Sequence, residues 1–247
     1  MSNSRSRSAT ARQVIDAPKQ VVALARLSPI SRTMIRKRLT YLSPVKLRAL
    51  EGAVREIDAS NVPGDIVEFG VALGGVTVAL AVGSPSRAVH GFDVFGRIPA
   101  PSARDGDVAK ERFEVIESGR SRGIRGDEYY GYMDDVLGTV RTNLATHGID
   151  PEGGRVSLHQ GLFDESWPGV VPQLDNVALA HVDCDWHDPV AYCLAAVAPL
   201  IPVGGIIVVD DYVTYEGARA ATDAFIAAHP EFEVRHLDEN LSLRRVR

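Results

Sequence analysis

The sequence predicts an α/β domain built on a mostly parallel, seven-stranded sheet, with additional helices at the N-terminus. Short β-rich runs alternate with helical segments along the chain, which is typical of a parallel sheet covered by helices on both faces. The 247 residues, 45% of them hydrophobic, also fit one soluble globular domain with a full core. Neither an internal repeat nor a second globular domain is visible.

Residues 1–40 form a basic arm, with nine lysines and arginines against one acid. We expect disorder over 1–12, followed by two short helices near 18–27 and 31–39. The domain proper, 41–247, is acidic. Since no basic, aromatic-rich strand face accompanies the arm, we expect no nucleic-acid binding.

Periodicity and turn residues predict the remaining elements in order. Ser43 and Pro44 begin a helix over 44–59, whose apolar residues recur at helical spacing. The predicted strands are 65–69, 88–93, 154–159, 177–183, 205–210, 232–237 and 241–246. The predicted helices between them are 74–82, 107–118, 132–147, 188–199 and 215–229. The last two strands form a hairpin, which gives the sheet an antiparallel C-terminal edge.

Composition also predicts a cytoplasmic protein without membrane insertion. Cys184 and Cys193 form neither a disulfide framework nor a zinc-binding spacing. The N-terminal residues lack the apolar core of a signal peptide. An uncharged stretch from Val190 to Val209 is long enough to span a bilayer, but internal prolines and glycines favour a helix, a turn and a strand.

Nearly every predicted strand ends on a carboxylate or a glycine. In an open α/β sheet, ligands bind beyond the carboxyl ends of the strands. The residues at these ends are Glu68-Phe69-Gly70, Asp93, His159-Gln160-Gly161, Asp183-Cys184-Asp185 and Asp210-Asp211. The sequence therefore predicts a ligand site along this edge of the sheet.

Glycines in the turn after the first strand allow a ligand to approach the backbone. Gly74 and Gly75 begin a helix, and their free N–H groups suit an anion such as the carboxylate of a bound amino acid. Asp93, one strand later, is placed to accept hydrogen bonds from ribose hydroxyls, although a single strand-end aspartate also commonly caps a helix. The dinucleotide fingerprint G-x-G-x-x-G is absent, which disfavours a nicotinamide oxidoreductase.

Four aspartates, Asp183, Asp185, Asp210 and Asp211, end two inner strands. Because neighbouring strands lie ~5 Å apart, these carboxylates should share one cleft, where a cation would offset their repulsion. Oxygen ligands favour Mg²⁺, with Mn²⁺ or Ca²⁺ as alternatives. Adjacent aspartates point to opposite faces within a strand, so Asp210 and Asp211 can bind one ion only if the chain turns there. The alternative is that some of the four cap helices or lie on the surface.

Four segments together resemble a known family: DIVEFGVALGG (65–75), DVFGRIP (93–99), VDCDW (182–186) and GGIIVVDDY (204–212). Their order is similar to that in macrocin-type O-methyltransferases, which use S-adenosylmethionine and Mg²⁺ to methylate deoxysugar hydroxyls of antibiotics. The resemblance covers roughly 42–229. It implies a Rossmann-like class I methyltransferase fold.

The resemblance also implies a role for each strand end. The implied cofactor-binding residues are Glu68, Phe69, Gly70, Gly74 and Gly75 for the methionine part, Asp93 for the ribose, and Gln160, Gly161 and Phe163 for the adenine. The implied metal ligands are Asp183, Asp210 and Asp211. An acid of the D-x-D segment, Asp183 or Asp185, is the implied general base.

The acceptor side departs from the family pattern. The family usually has Leu-Tyr-Glu-Ser where this chain has Trp186-His187-Asp188-Pro189, and the residues after Phe95 differ as well. His187 becomes a further candidate base because imidazole titrates near neutral pH, although such a histidine is commonly a hydrogen-bonded surface group.

The predicted function is therefore methylation of a deoxysugar hydroxyl on a glycosylated small-molecule natural product. A catechol-type phenolic acceptor would use the same metal chemistry and remains open. A metal-dependent glycosyltransferase also uses D-x-D, but the turn over 68–75 argues against it. A non-enzymatic interaction module with a basic arm is the alternative from a different class.

Two further expectations concern the surroundings of the site. The segment 96–131, with several glycines and tyrosines, is predicted to be a lid. Helices before such a domain often contact a second subunit, so we expect a homo-oligomer.

Overall fold

The computed structural model describes residues 17–247, so the disorder predicted for 1–12 lies outside the described range. The described chain begins in helix α1 (17–26), followed by α2 (Pro29–Arg36) and α3 (Pro44–Ala59). All three helices were predicted within a few residues. Ser43 caps α3 by accepting a hydrogen bond from the Lys46 N–H, as the Ser-Pro signal indicated.

Strands and helices then alternate along the chain. The strands are β1 (Asp65–Phe69), β2 (Val89–Asp93), β3 (Val156–Gln160), β4 (Val177–Val182), β5 (Ile206–Val209), β6 (Phe232–Leu237) and β7 (Leu241–Arg245). The helices are α4 (Gly75–Gly83), α5 (Asp107–Glu117), α6 (Val136–Thr146), α7 (Phe163–Val170), α8 (His187–Val197) and α9 (Glu216–Ala228).

The seven strands form one sheet in the order β3-β2-β1-β4-β5-β7-β6. The first five of these are parallel, and β7 runs antiparallel to both β5 and β6. The predicted mostly parallel sheet with an antiparallel C-terminal edge is confirmed. Strand order reverses between β1 and β4, so a crevice opens above the carboxyl ends of these two strands.

Each face of the sheet buries its own hydrophobic core. One core joins the sheet to α2, α3, α4 and α6, and the other joins it to α7, α8 and α9. Alternate strand residues supply the two cores: Ile66 belongs to the first and Val67 to the second. Met34 of α2 is fully buried in the first core, so this part of the basic arm packs against the sheet domain.

Two helical segments differ from the prediction. The sequence analysis missed α7, which is short and contains Pro168 and Gly169, but its Trp167 packs against Phe69 and Phe92 in the core. Helix α6 begins later than predicted because the side chain of Asp135 caps it there. Within 17–247, none of the helices is long and apolar enough to cross a membrane.

The segment between α2 and α3 is fastened to the turn between β1 and α4. The N–H of Gly75 donates a hydrogen bond to the carbonyl oxygen of Leu39 at 3.0 Å. A Cβ atom at Gly75 would lie 2.2 Å from that oxygen, which is far inside van der Waals contact. Glycine is therefore required for this close approach.

We predict that Gly75→Ala lowers the free energy of unfolding by about 1–3 kcal/mol, because the added methyl group must displace backbone atoms of Leu39. Chemical denaturation of the two proteins measures the difference. Gly169→Ala is the matched control, since a Cβ there meets no atom within 4 Å and alanine favours a helix. Equal stability of Gly75→Ala and the unmodified protein would contradict the prediction.

Candidate functional site

Three neighbouring strands end at the same level. Phe69 of β1 pairs in register with Val182 of β4, which pairs with Val209 of β5. The N–H of Asp183 donates to the Phe69 carbonyl at 2.8 Å, and the N–H of Asp210 donates to the Val182 carbonyl at 2.9 Å. The register of the sheet therefore places Asp183 and Asp210 side by side.

The carboxylates of Asp183, Asp210 and Asp211 form a cluster. One oxygen from each lies within 4.8 Å of the other two. Strand β5 ends at Val209, and the Asp211 carbonyl accepts the N–H groups of the next turn, so the chain turns between the strand and that carbonyl. Both adjacent aspartates can reach one point because of this turn. The sequence analysis required such a turn for Asp210 and Asp211 to bind one ion, and the structure has it.

Lys46 completes this cluster, and the sequence analysis did not identify it. Its ammonium group lies 2.6 Å from Asp210 Oδ2 and 3.9 Å from Asp211 Oδ1. Lys46 is in the first turn of α3, where the helix dipole disfavours a cation. This unfavourable position was the available signal that the lysine has a role outside its own helix.

Burial and mutual repulsion dominate the electrostatics of the cluster. Burial, with the charges of Asp210 and Asp211, raises the pKa of Asp183 well above its usual range. Burial and Asp210 also raise the pKa of Asp211 to about 6. Burial alone would lower the pKa of Lys46, but the attraction of Asp210 and Asp211 outweighs it and raises that pKa.

The cluster suits a hard cation. Its three donors are all carboxylate oxygens, which Mg²⁺ and Ca²⁺ prefer. Asp210 Oδ1 is buried and has no hydrogen-bond partner among residues 17–247. Such an orphaned acceptor costs free energy unless an ion or a proton satisfies it.

Asp185 lies beside the cluster in a strained backbone conformation. Its φ is 58°, in the left-handed region that aspartate rarely adopts. Its N–H donates to Asp211 Oδ2 at 3.2 Å, which holds the D-x-D turn against β5. Burial and the charge of Asp211 raise the pKa of Asp185 well above its usual range.

His187, the other candidate base, begins α8. Its Nδ1 lies 2.7 Å from Asp188 Oδ1, and its N–H donates to Asp105 Oδ1 at 2.7 Å. In the described part of the chain, it does not line either cavity at the site. The structure therefore brings Asp185 to the cluster and leaves His187 outside it.

Two adjoining cavities open above β1 and β4, with volumes of about 270 and 210 Å³. Both are lined by Gly70, Asp93, Tyr130, Asp183, Asp185 and Trp186. The first cavity, which we call the adenine-side cavity, extends to Leu162 and Phe163. The second, which we call the lid-side cavity, extends to 39–42 and Arg112.

Two of the predicted cofactor residues lie beneath the cavities. Glu68 is fully buried, and its Oε2 accepts a hydrogen bond from Thr77 Oγ1 at 2.5 Å. Its Oε1 is 3.8 Å from Nδ1 of His181, which is also buried. Phe69 belongs to the aromatic core around Trp167. Among the described residues neither side chain lines a cavity, so any contact with a cofactor would be indirect.

The expectation of free donors at Gly74 and Gly75 is wrong. The N–H of Gly74 donates to the Val71 carbonyl at 2.9 Å, and the N–H of Gly75 donates to Leu39. Gly70 does line both cavities. Its φ is 97°, and a Cβ there would lie 1.9 Å from the Asp183 carbonyl oxygen, so only glycine fits.

Asp93 lines both cavities and also holds the first turn in shape. Its Oδ2 accepts the N–H groups of Val71 and Ala72 at 2.8 and 2.9 Å, and its Oδ1 accepts that of Phe95 at 2.7 Å. A carboxylate offers about four acceptor positions, so capacity for a hydroxyl remains.

The three residues predicted to contact the adenine do not share one site. Phe163 lines the adenine-side cavity. Gln160 is exposed, and its side chain points toward the Val94 carbonyl at 3.5 Å. The N–H of Gly161 donates to the Asp93 carbonyl at 3.0 Å, so this glycine shapes the turn.

The predicted lid covers the site and is tied to it. Trp186 is buried, and its indole N–H donates to the Pro99 carbonyl at 2.9 Å. Asp105 of the same segment accepts the backbone N–H of His187. Tyr130 lines both cavities, and its ring contacts that of Tyr41 at 5.7 Å between centroids.

Comparison with known proteins identifies the fold and the family of this chain. The chain is 23% identical to the solved O-methyltransferase NovP, with a TM-score of 0.69 over 85% of this chain and 83% of that one. The fold is thus that of a class I methyltransferase. The family model "Macrocin-O-methyltransferase (TylF)" matches residues 3–239, so the chain belongs to that family.

Two relatives come from Streptomyces. The 8-demethyl-8-(2,3-dimethoxy-alpha-L-rhamnosyl)-tetracenomycin-C 4'-O-methyltransferase of Streptomyces olivaceus is 27% identical over 178 residues, 70% of this chain and 62% of that protein. The demethyldecarbamoylnovobiocin O-methyltransferase of Streptomyces niveus is 26% identical over 195 residues, 76% of this chain and 68% of that protein. The chain therefore matches less than two thirds of the length of the first relative.

We predict that Lys46→Met destabilises the protein by about 3–5 kcal/mol in the presence of a chelator, because the mostly buried Asp210 loses its cationic partner. Millimolar Mg²⁺ should then raise the melting temperature of this variant more than that of the unmodified protein. Differential scanning calorimetry with EDTA or Mg²⁺ measures both effects. Lys37→Met, at an exposed position, is the control and should change neither. An equal loss in the two variants would contradict the role given to Lys46.

Proposed function

We propose that this protein transfers a methyl group from S-adenosylmethionine to a hydroxyl group in the deoxysugar of a glycosylated natural product, with help from a divalent cation. The observation that carries the proposal is the cluster of Asp183, Asp210 and Asp211, of which Asp183 lines both cavities together with Gly70. Membership of the macrocin O-methyltransferase family supports the reaction. The rhamnosyl substrate in the name of the tetracenomycin-type relative supports a sugar as the acceptor.

The metal ligands in this proposal are Asp183, Asp210 and Asp211. A bound Mg²⁺ would supply Lewis-acid chemistry, which lowers the pKa of a coordinated hydroxyl group and fixes its orientation. Lys46 contacts the same carboxylates, so it would compensate their charge when no ion is present. The buried and unpartnered Asp210 Oδ1 supports a role for this residue as a ligand.

The cofactor would lie across both cavities. S-adenosylmethionine supplies an electrophilic methyl group on its sulfonium. Gly70 permits close approach because it carries no side chain, and Asp93 offers acceptor capacity for the ribose hydroxyls. Phe163 and Leu162 line the apolar end that suits the adenine ring.

Asp185 is the general base in our proposal. It lines both cavities beside the cluster, whereas Asp183 is committed as a metal ligand and His187 points toward Asp188. Burial and the charge of Asp211 raise the pKa of Asp185 when no cation is present, and a cation bound to the neighbouring aspartates would lower it toward the range of a general base.

The lid segment would exclude water during transfer. The carbonyl oxygen of Pro99 accepts a hydrogen bond from Trp186, and Tyr130 lines both cavities. Exclusion of water protects the proton transfer from competition with solvent. Homo-oligomer formation remains a prediction.

The experiment that tests this function is transfer of a radiolabelled methyl group from S-adenosylmethionine to three acceptors. They are a rhamnosylated polyketide, the matching aglycone and a catechol. We expect label only on the glycosylated acceptor, and loss of transfer with EDTA that Mg²⁺ restores. Transfer to the catechol alone would favour the phenolic alternative. Full activity in EDTA would exclude the metal, and failure to bind S-adenosylmethionine would refute the proposal.

We predict that Asp210→Asn lowers methyl transfer at least about 100-fold, because a neutral amide is a poor ligand for a hard cation. Mg²⁺ titration by calorimetry should show a parallel loss of metal affinity. Asp134→Asn replaces an exposed aspartate outside the cavities and should behave as the unmodified protein. Retention of both transfer and Mg²⁺ affinity in Asp210→Asn would rule out this residue as a ligand.

A further inference from the structure

The turn between β1 and α4 has few free backbone donors for an anionic ligand. The N–H groups of Val71 and Ala72 donate to Asp93, and those of Gly74 and Gly75 donate to backbone carbonyls. These four N–H groups are therefore taken, and a carboxylate in the cavity above this turn gains from a cationic partner, because an unpaired anion there would lose its hydration without compensation.

The titratable side chains within 17–247 that line the lid-side cavity are mostly acidic or phenolic, with a single cation among them. Asp93, Asp183 and Asp185 face it, and among the described residues that line it the single cationic side chain is Arg112. Such a wall suits a ligand with positive groups and repels an isolated carboxylate. An amino-acid ligand carries both charges, and the position beside Arg112 is the most favourable one in this cavity for its carboxylate.

Arg112 is available for such a ligand. It projects from α5, and its guanidinium carbon lies 5.6 Å from the centroid of the Tyr129 ring. Within 17–247 the side chain makes no ion pair within 4 Å and no hydrogen bond. Stacking on Tyr129 orients the guanidinium and leaves its N–H groups free. The arginine also lies close enough to Asp185 and Tyr215 to act on them electrostatically.

We propose that Arg112 binds the carboxylate of the amino-acid part of the cofactor, while the acidic wall of the lid-side cavity faces its ammonium and sulfonium groups. This inference rests on the proposed function, since it takes S-adenosylmethionine as the methyl donor. Arg112 replaces Gly74 and Gly75 as the carboxylate partner. Because α5 belongs to the 96–131 segment, the cofactor itself holds this part of the lid against the domain.

The test is calorimetric titration with two ligands that differ in one group. S-adenosylhomocysteine carries the carboxylate, and decarboxylated S-adenosylhomocysteine keeps the ammonium but lacks it. Arg112→Met should weaken binding of S-adenosylhomocysteine about 10- to 100-fold, the range expected for hydrogen bonds to a charged group. The same variant should bind the decarboxylated ligand within about twofold of the unmodified protein.

Two further variants serve as controls. Lys110→Met removes an exposed cation from the same helix and should change neither affinity. Arg112→Lys keeps the charge but loses the planar fork, so its affinity for S-adenosylhomocysteine should be intermediate. Melting curves of the unliganded variants report whether each one is folded.

Several outcomes would overturn the inference. Equal weakening of both ligands in Arg112→Met would mean that the arginine only shapes the lid, and no weakening of either would mean that it does not touch the cofactor. A raised KM for the acceptor with unchanged S-adenosylhomocysteine affinity would assign Arg112 to an anionic group of the acceptor. If the unmodified protein bound neither ligand, the proposed function itself would fail.

Discussion

Repulsion among carboxylates at the ends of β4 and β5 is the constraint on which the site depends. Parallel strands in register place Asp183 and Asp210 side by side, and the turn after β5 adds Asp211. The backbone cannot relieve this repulsion, because the same strands bury both hydrophobic cores. Relief comes from protons or from positive charge, which Lys46 supplies from α3 and a bound cation would supply directly.

The N-terminal helices are part of the same arrangement. Lys46 reaches the cluster from α3, and the carbonyl of Leu39 takes up the N–H of Gly75 at the start of α4. Met34 is buried in the core that these helices share with the sheet. The loop between α2 and α3 thus forms one wall of the lid-side cavity, and the folding of the arm is coupled to the shape of the site.

The sequence predicted what short-range patterns encode. Alternating apolar runs located all seven strands, and the acids that follow them indicated the cluster of Asp183, Asp210 and Asp211. Sequence analysis failed where a residue's interaction partner comes from a distant segment of the chain. Nothing local to Gly75 shows that a carbonyl from the arm occupies its donor, and nothing local to Arg112 shows that α5 faces the cavity. Helix α7 was missed for a related reason, since Trp167 stabilises it through the core rather than through its own sequence.

The ties between the lid and the D-x-D turn also bear on how the lid can be exchanged. Trp186 donates to the Pro99 carbonyl, and the next residue donates its N–H to Asp105. A substitution in one segment that moves either contact also displaces the other segment, so the lid and the D-x-D turn form one mechanical unit. Exchanging the lid for another sequence therefore keeps both contacts only if a backbone carbonyl lies at the place of Pro99 and a side-chain acceptor at that of Asp105.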